Sequence, residues 1–254
     1  MEQRIIIANL RSDSGKRFLD LAQYALTIAG TNTFSSIIGT GGIVIPALSL
    51  IISLIIGAVQ PHYNPIRQTI SQLVHYPHGW LQTTDFLILS CWLILFAVKF
   101  YSDFTHRLTT KIAVSSLVLL GIGFFMITIF PTNFPGSEKT IQSLIHEKTA
   151  QFICVLFPIS CTFIIPEFKA SSYWNKFTTY TIVTAVIGFI FVGIGVVITI
   201  TEAPLLGILE RLIMLNAVVW LEVIGFYLVL QRFNNRNSHK ATNPVMQTSQ
   251  QMTR

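Results

Sequence analysis

The uncharged stretch Ile37–Val59, IIGTGGIVIPALSLIISLIIGAV, decides the fold of this chain. Its 23 residues exceed the roughly 20 that a helix needs to cross a hydrocarbon core about 30 Å thick. Five further runs are apolar enough to span: Leu81–Phe100, Ile112–Phe130, Thr149–Ile165, Phe177–Ile200 and Leu212–Leu230. Lipid offers backbone groups no hydrogen-bond partner, so such runs form helices. The sequence therefore predicts an all-α, polytopic membrane protein with a bundle of six transmembrane helices.

The composition of the whole chain agrees with this prediction. Of the 254 residues 52% are hydrophobic and 11% are charged, whereas a soluble domain carries about 25% charged residues. The net charge of +6 comes from scattered bases without a basic, aromatic-rich patch, so no nucleic-acid partner is expected. Three cysteines in a chain of this length exclude a disulfide scaffold. We therefore expect membrane lipids as partners and a cell membrane as the location.

The distribution of bases predicts the orientation of the bundle. With the N-terminus in the cytoplasm, the inner segments contain 13 of the 17 Lys and Arg residues, and the outer segments contain the other four. Positively charged loops stay cytoplasmic, so both termini are predicted to lie inside. The sequence before residue 37 lacks a signal-peptide pattern and the chain lacks glycosylation sequons, which favours a prokaryotic inner membrane.

Three segments are predicted along the chain. Residues 1–34 form a cytoplasmic N-terminal segment in which apolar residues at helical spacing favour a short interfacial helix. A solvated lead-in is the alternative. Residues 35–231 form the transmembrane domain. Residues 232–254 are rich in Asn, Gln, Ser and Thr, which predicts a disordered cytoplasmic tail.

The connection between the first two spans holds an unusual density of functional side-chain types. Residues 60–80 contain three of the six histidines, three prolines and a tryptophan. We expect this outer loop to be ordered over the ends of the helices by its prolines and by other polar contacts. The residues expected to make those contacts are Ser71, Asp85, His146 and Arg211.

Several short motifs follow one another at the predicted outer face. They are Pro61-x-Tyr63, Ile70-Ser71-x-Leu73 with an aromatic before the second span, Phe130-Pro131, His146, Gly207-x-x-Glu210-Arg211 and Trp220. In these motifs and their order the chain resembles the domain-of-unknown-function family 998. That family consists of six-helix integral membrane proteins without an assigned activity, so the resemblance implies fold and topology more than function. The chain departs from it at Gln72, where the family usually has an acid.

One functional alternative is a membrane-embedded lipid hydrolase. The candidate catalytic residues are Ser71, His75, Asp85 and His146. Their imidazoles and carboxylate are the ligand types of an open zinc site, but ceramidase-like hydrolases also carry a paired His-x3-His on a late span, which is missing here. The competing interpretation places the loop histidines and Trp80 at the membrane interface. Every histidine lies at or beyond a span end, which disfavours haem, so neither a metal nor a cofactor is expected.

Glu222 is the acid that costs most to insert. It lies 11 residues beyond Arg211, about 16 Å into the last span, where an acid costs about 2.5–3.5 kcal/mol on insertion scales. We expect it to face the bundle interior and to bond a polar group such as Asn216, Ser90 or Ser53. One interpretation is a small proton-coupled transporter that uses Glu222; the other is a protonated interhelical hydrogen bond.

The leading functional hypothesis is a non-enzymatic membrane protein. It binds a lipid or small amphiphile at the outer leaflet, or it serves as a subunit of a membrane complex with a membrane-protein partner. Arg211, at the head of the last span, is expected to pair with the carboxylate of Glu147 or Asp85, or with an anionic headgroup. The residues assigned to ligand binding are Tyr63, Arg67, Trp80, Glu210, Arg211 and Glu222.

Overall fold

The computed structural model describes residues 20–21, 23–24, 27–28, 31–104, 107–134 and 136–242, and for 232–242 the backbone alone. Six long helices make up the bundle: α1 Asn32–Val59, α2 Gly79–Asp103, α3 Leu108–Ile129, α4 Ile141–Ala170, α5 Thr178–Thr201 and α6 Leu206–Thr242. Two short 3-10 turns, Ile70–His75 and Asn175–Phe177, interrupt the connections, and no strand occurs among these residues. Each long helix contains a segment apolar enough to cross a membrane. The predicted all-α architecture with six candidate spans is confirmed.

The six helices form a ring. Each helix packs against the next one in the chain, and α6 closes the ring by packing against α1. The closure depends on glycine, because a Cβ atom at Gly225 would lie 2.8 Å from the carbonyl oxygen of Gly39 and 2.9 Å from Cα of Gly42. The middle of the ring is filled by aromatic side chains around the fully buried Trp220, whose ring centroid lies 5.8 Å from that of Phe157.

The connections of the bundle divide between two ends. Segments 60–78, 130–134, 136–140 and 202–205 lie together at one end, which we call the loop face. Residues 104, 107 and 171–177 lie at the opposite end, where an aromatic cluster includes the stacked pair Phe168 and Trp174 at 5.2 Å. The loop face is the end that the distribution of bases predicts to be outside.

Helix α4 is longer than the predicted span Thr149–Ile165. It begins eight residues earlier, at Ile141, because Thr140 caps it: the Thr140 hydroxyl accepts a hydrogen bond from the Ser143 amide at 3.2 Å. It also continues through Pro166 to Ala170, five residues beyond the predicted end at Ile165. The amide of Ser171 bonds the carbonyl of Glu167 at 3.1 Å, which keeps the last turn closed.

Both ends of the chain lie partly outside the described residues. The described positions between 20 and 28 are helical and exposed, whereas the remainder of the predicted interfacial helix is not described. Helix α6 continues to Thr242, although the sequence predicts disorder from residue 232. No proline or glycine interrupts residues 232–242, and the first residue that disfavours continuation is Asn243, which precedes Pro244.

Candidate functional site

Glu210, one turn into α6, holds the start of the 3-10 turn in the first loop. Its Oε2 accepts a hydrogen bond from the backbone amide of Ile70 at 2.5 Å, and its Oε1 accepts one from the Ser71 hydroxyl at 3.3 Å. The first amides of a helical turn have no partner within the turn, and a negative charge suits that end. Glu210 therefore fixes the 3-10 turn to α6 across 140 positions of sequence.

Arg211 holds the same loop through its guanidinium group. Nη1 donates to the carbonyl oxygens of Pro65 at 2.8 Å, Gln68 at 3.1 Å and Gly207 at 2.8 Å, and Nη2 donates to the hydroxyl of Tyr63. The expected pairing of Arg211 with the carboxylate of Glu147 or Asp85 is therefore wrong, since those carboxylates bond other residues. The folded loop presents several carbonyl oxygens to one planar fork of N–H donors, which suits arginine as well as a carboxylate does.

Tyr63 completes this arrangement from inside the loop. Its hydroxyl lies 3.2 Å from the carbonyl oxygen of Gln68 and 3.0 Å from that of Thr69, and its ring packs edge-on against Tyr76 at 5.6 Å. Burial raises the pKa of the Tyr63 phenol above its usual value of 10.0, although the neighbouring Arg211 guanidinium opposes the shift. The phenol thus stays protonated and available as a donor. We call Tyr63, Glu210 and Arg211 the loop clamp.

Gly207 lets the loop approach α6 closely. A Cβ atom at this position would lie 2.3 Å from the carbonyl oxygen of Gln68 and 2.7 Å from that of Pro65. The close approach also brings the amide of Ile208 within 3.0 Å of the carbonyl oxygen of Ile66. The Gly-x-x-Glu-Arg motif therefore supplies one backbone contact and two side chains to the same surface.

Asp85 belongs to a different part of the bundle from the loop. Its Oδ2 accepts hydrogen bonds from the Ser49 hydroxyl at 2.6 Å and from the side-chain Nε2 of Gln82 at 3.2 Å. Asp85 is buried and ties α2 to α1. The expectation that its contacts order the outer loop is therefore wrong, because short polar partners on its own and the neighbouring helix satisfy its carboxylate.

The two remaining histidine candidates bond backbone carbonyls of the connection between α3 and α4. His75 Nε2 lies 2.5 Å from the oxygen of Thr132, and His146 Nδ1 lies 2.7 Å from the oxygen of Phe130. Within the described ranges no hydrogen bond joins any two of the four catalytic candidates, and no group of three His, Cys, Asp or Glu residues is suited to a metal ion.

His146 has one nitrogen without a partner. A carbonyl oxygen can only accept, so the bond to Phe130 requires the proton on Nδ1 and leaves a lone pair on Nε2. His146 is 5% exposed, and Nε2 makes no hydrogen bond to any residue that the structure describes. A buried acceptor without a donor costs about 1–3 kcal/mol, which makes this nitrogen a candidate contact for a ligand.

A cavity of about 760 Å³ lies between α4, α5 and α6 and reaches the loop face. Its polar end is lined by Ser71, His146 and Glu210, together with parts of the loops. Further into the bundle the wall is apolar and includes the side chains of Cys154, Val155, Phe191, Val192 and Ile213. Along α5 the lining runs from Ile200 to Phe191, a depth of about 14 Å. The cavity is therefore polar at one end and apolar along the rest of its length.

Sequence reasoning missed most of this cavity. It singled out Ser71, His146 and Glu210, but it assigned no role to the walls on α4 and α5. A signal was present on α4, where four small or polar residues recur at helical spacing and all line the cavity: Ser143, His146, Ala150 and Cys154. A stripe of that kind in an otherwise apolar helix indicates a face that does not pack against large neighbours.

Of the six predicted ligand-binding residues, Glu210 lines the cavity, Tyr63 and Arg211 hold the loop outside it, and the other three lie elsewhere. Arg67 and Trp80 are exposed, and neither lines it. Glu222 is half-buried and accepts no hydrogen bond from the described residues. It lines neither this cavity nor a second one of about 370 Å³ beside His75 and His146. Its three expected partners bond backbone carbonyls elsewhere: Asn216 that of Thr184, Ser90 that of Gly121 and Ser53 that of Leu50.

Comparison with known proteins identifies a family for the chain but assigns it no activity. The sequence model of one family, described as "Protein of unknown function (DUF998)", matches residues 43–227, a range that includes the loop clamp and both walls of the cavity. No curated protein and no solved structure matches the chain.

Proposed function

The chain belongs to the DUF998 family of proteins of unknown function, and from its own geometry we propose that it binds a membrane amphiphile in the cavity between α4, α5 and α6. The observation that carries this proposal is the division of the cavity into a polar end and an apolar part, the shaft, whose walls include Val155, Phe191 and Val192. The polar head lies against Ser71, His146 and Glu210 at the loop face, and the hydrocarbon chain lies along α5.

The dimensions and position of the cavity support an amphiphile. Its volume of about 760 Å³ falls within the roughly 300–1,000 Å³ of small-molecule sites. Its apolar walls belong to helices that are candidate membrane spans, so lipid chains are the molecules most abundant beside it. With the loop face outside, as the distribution of bases predicts, the ligand comes from the outer leaflet.

Neither functional alternative has a comparable observation behind it. A hydrolase needs its nucleophile and base within hydrogen-bond reach, whereas Ser71 bonds Glu210, and His75 and His146 each bond a carbonyl oxygen. A transporter that uses Glu222 needs a polar passage to that residue, and neither described cavity includes it. Amphiphile binding is the function that the described residues favour.

Photolabelling tests the proposal directly. Purified protein in lipid nanodiscs would be irradiated with 1-oleoylglycerol or its 3-phosphate, each carrying a diazirine in the acyl chain. We expect adducts in the peptides that contain residues 150–155 and 191–198. Val192→Trp fills the shaft and should reduce these adducts at least fivefold.

A matched variant serves as the control. Val186→Trp places the same side chain on an exposed position of the same helix, outside the cavity, and should label like the wild type. Equal labelling of the two tryptophan variants, with either probe, would contradict amphiphile binding in this cavity.

A further inference from the structure

We propose that the head of the bound amphiphile is neutral and carries a hydroxyl group, and that the polar end of the cavity selects against a phosphate. The inference rests on the proposed amphiphile binding and names the class of ligand. Three features of the polar end support it. His146 has a nitrogen acceptor without a donor, Glu210 places a carboxylate in the wall, and Arg211 makes its hydrogen bonds outside the cavity.

The orphaned acceptor is Nε2 of His146. Because Nδ1 is fixed as the donor to the carbonyl oxygen of Phe130, Nε2 keeps a free lone pair. The atom itself is buried, and the residue lies in the wall of this cavity and of the smaller cavity beside His75. A hydroxyl group can donate a hydrogen bond to this lone pair. A fully ionised phosphate has no proton to donate, so it leaves the buried acceptor unsatisfied.

The carboxylate in the wall is that of Glu210. Its oxygens bond the amide of Ile70 and the hydroxyl of Ser71, and the residue lines the cavity. A phosphate beside it meets a like charge in a half-buried environment, where repulsion is stronger than in water. A hydroxyl group carries no such cost and can donate to the same carboxylate.

The adjacent guanidinium makes its hydrogen bonds outside the cavity. Arg211 donates to carbonyl oxygens of the loop and of its own helix and does not line the cavity. The basic residues of the described lining are two exposed lysines. Lys139 bonds Glu147 at 3.2 Å, and Lys148 bonds Gln151 at 3.1 Å. The same lining contains three glutamates, so the wall offers a phosphate no net positive field.

Competition between three ligands with the same acyl chain tests the selection. Unlabelled 1-oleoylglycerol, its 3-phosphate and methyl oleate would each compete with the diazirine form of 1-oleoylglycerol for wild-type protein in nanodiscs. We expect 1-oleoylglycerol to compete at least tenfold better than its phosphate. Both ligands keep the 2-hydroxyl of glycerol, so this difference reports the repulsion between the phosphate and the Glu210 carboxylate. It should compete two- to tenfold better than methyl oleate, which has no hydroxyl donor, because a neutral hydrogen bond contributes about 0.5–1.5 kcal/mol.

Three variants test which residues cause the preference. His146→Phe should remove the preference over methyl oleate, and His146→Gln, whose amide oxygen still accepts, should restore part of it. Glu210→Gln removes the charge but keeps an acceptor for the loop amide, and it should strengthen competition by the phosphate several-fold. The preference of the wild type for 1-oleoylglycerol over the phosphate needs no variant and stays decisive where a substitution impairs folding.

The outcomes separate the two proposals. Equal or better competition by the phosphate would overturn the hydroxyl preference and leave amphiphile binding standing. No competition by any of the three ligands, with Val192→Trp labelled like Val186→Trp, would overturn both.

Discussion

Arg211 fixes the first loop with one planar group, and lysine cannot reproduce its geometry. Lysine keeps the charge but offers a single ammonium in place of two nitrogens that bond four groups. Arg211→Lys should therefore destabilise the loop by about 2 kcal/mol, since hydrogen bonds to charged groups contribute about 1.5–3 kcal/mol. Hydrogen exchange of the amides at residues 66–72 should become more than tenfold faster.

Arg67→Lys is the matched control for this change. Arg67 is exposed and lies in the same loop, so exchange at residues 66–72 should remain as in the wild type. Unchanged protection in Arg211→Lys would show that the loop is held by its backbone contacts alone.

Glu222 is predicted to lower the stability of the isolated protein. Its half-buried carboxylate accepts no hydrogen bond from the described residues, and an acid near the midplane costs about 2.5–3.5 kcal/mol. Glu222→Leu should stabilise the protein by about 2 kcal/mol, measured as resistance to denaturation in a mild detergent. Glu138→Leu, at an exposed loop position, should change stability by less than about 0.5 kcal/mol. A loss of stability in Glu222→Leu would mean that the carboxylate has a partner.

At the level of single residues the sequence identified the polar groups but not their partners. It placed Glu210, Arg211 and Ser71 together, and it expected Arg211 to meet a carboxylate. The carbonyl oxygens that Arg211 bonds belong to Pro65, Gln68 and Gly207. Every residue carries a carbonyl group, so residue types hold no signal for such a partner, and only the folded path of the loop selects it.

Among the elements, the start of α6 depends on having no side chain at Gly207. A methyl group there would lie 2.3 Å from the oxygen of Gln68, so Gly207→Ala forces the loop away from the helix. We expect a loss of about 1–3 kcal/mol, the usual range for overpacking, together with faster amide exchange in the loop. The six helices should persist, as judged by circular dichroism.

Gly193→Ala on α5 is the control for this prediction. A Cβ atom at Gly193 meets nothing within 4 Å, and alanine favours a helix over glycine, so this variant should be as stable as the wild type or slightly more stable. Equal behaviour of the two variants would contradict the close approach at Gly207.

The boundaries of the elements show what hydropathy misses. All six spans were predicted, because lipid-facing side chains are apolar along most of each helix. The first two turns of α4 were missed, because they carry Ser143, His146 and Glu147. These residues face the loops and the cavity rather than lipid. Polar side chains therefore do not destabilise this part of the helix in the membrane.

For the whole molecule, the distribution of bases predicts that the loop face is outside. An alkaline phosphatase fused after Gly136 should be active, because this enzyme needs export to fold, and one fused after residue 242 should be inactive. A fluorescent protein at the second position should fluoresce. The opposite pattern would place the cavity at the inner leaflet and would leave its chemistry unchanged.

Glu210 belongs to two surfaces at once, since its carboxylate bonds the loop and forms part of the cavity wall. A head group that draws the carboxylate away leaves the loop amide without its acceptor, at a cost of about 1–3 kcal/mol. Occupancy of the cavity and order of the loop are therefore thermodynamically coupled. A partner that binds the loop from the aqueous side changes the affinity of the cavity for its ligand, and the ligand changes the affinity of the loop for that partner by the same factor. On the proposed function, amphiphile binding in the cavity would change the order of the loop at the membrane surface.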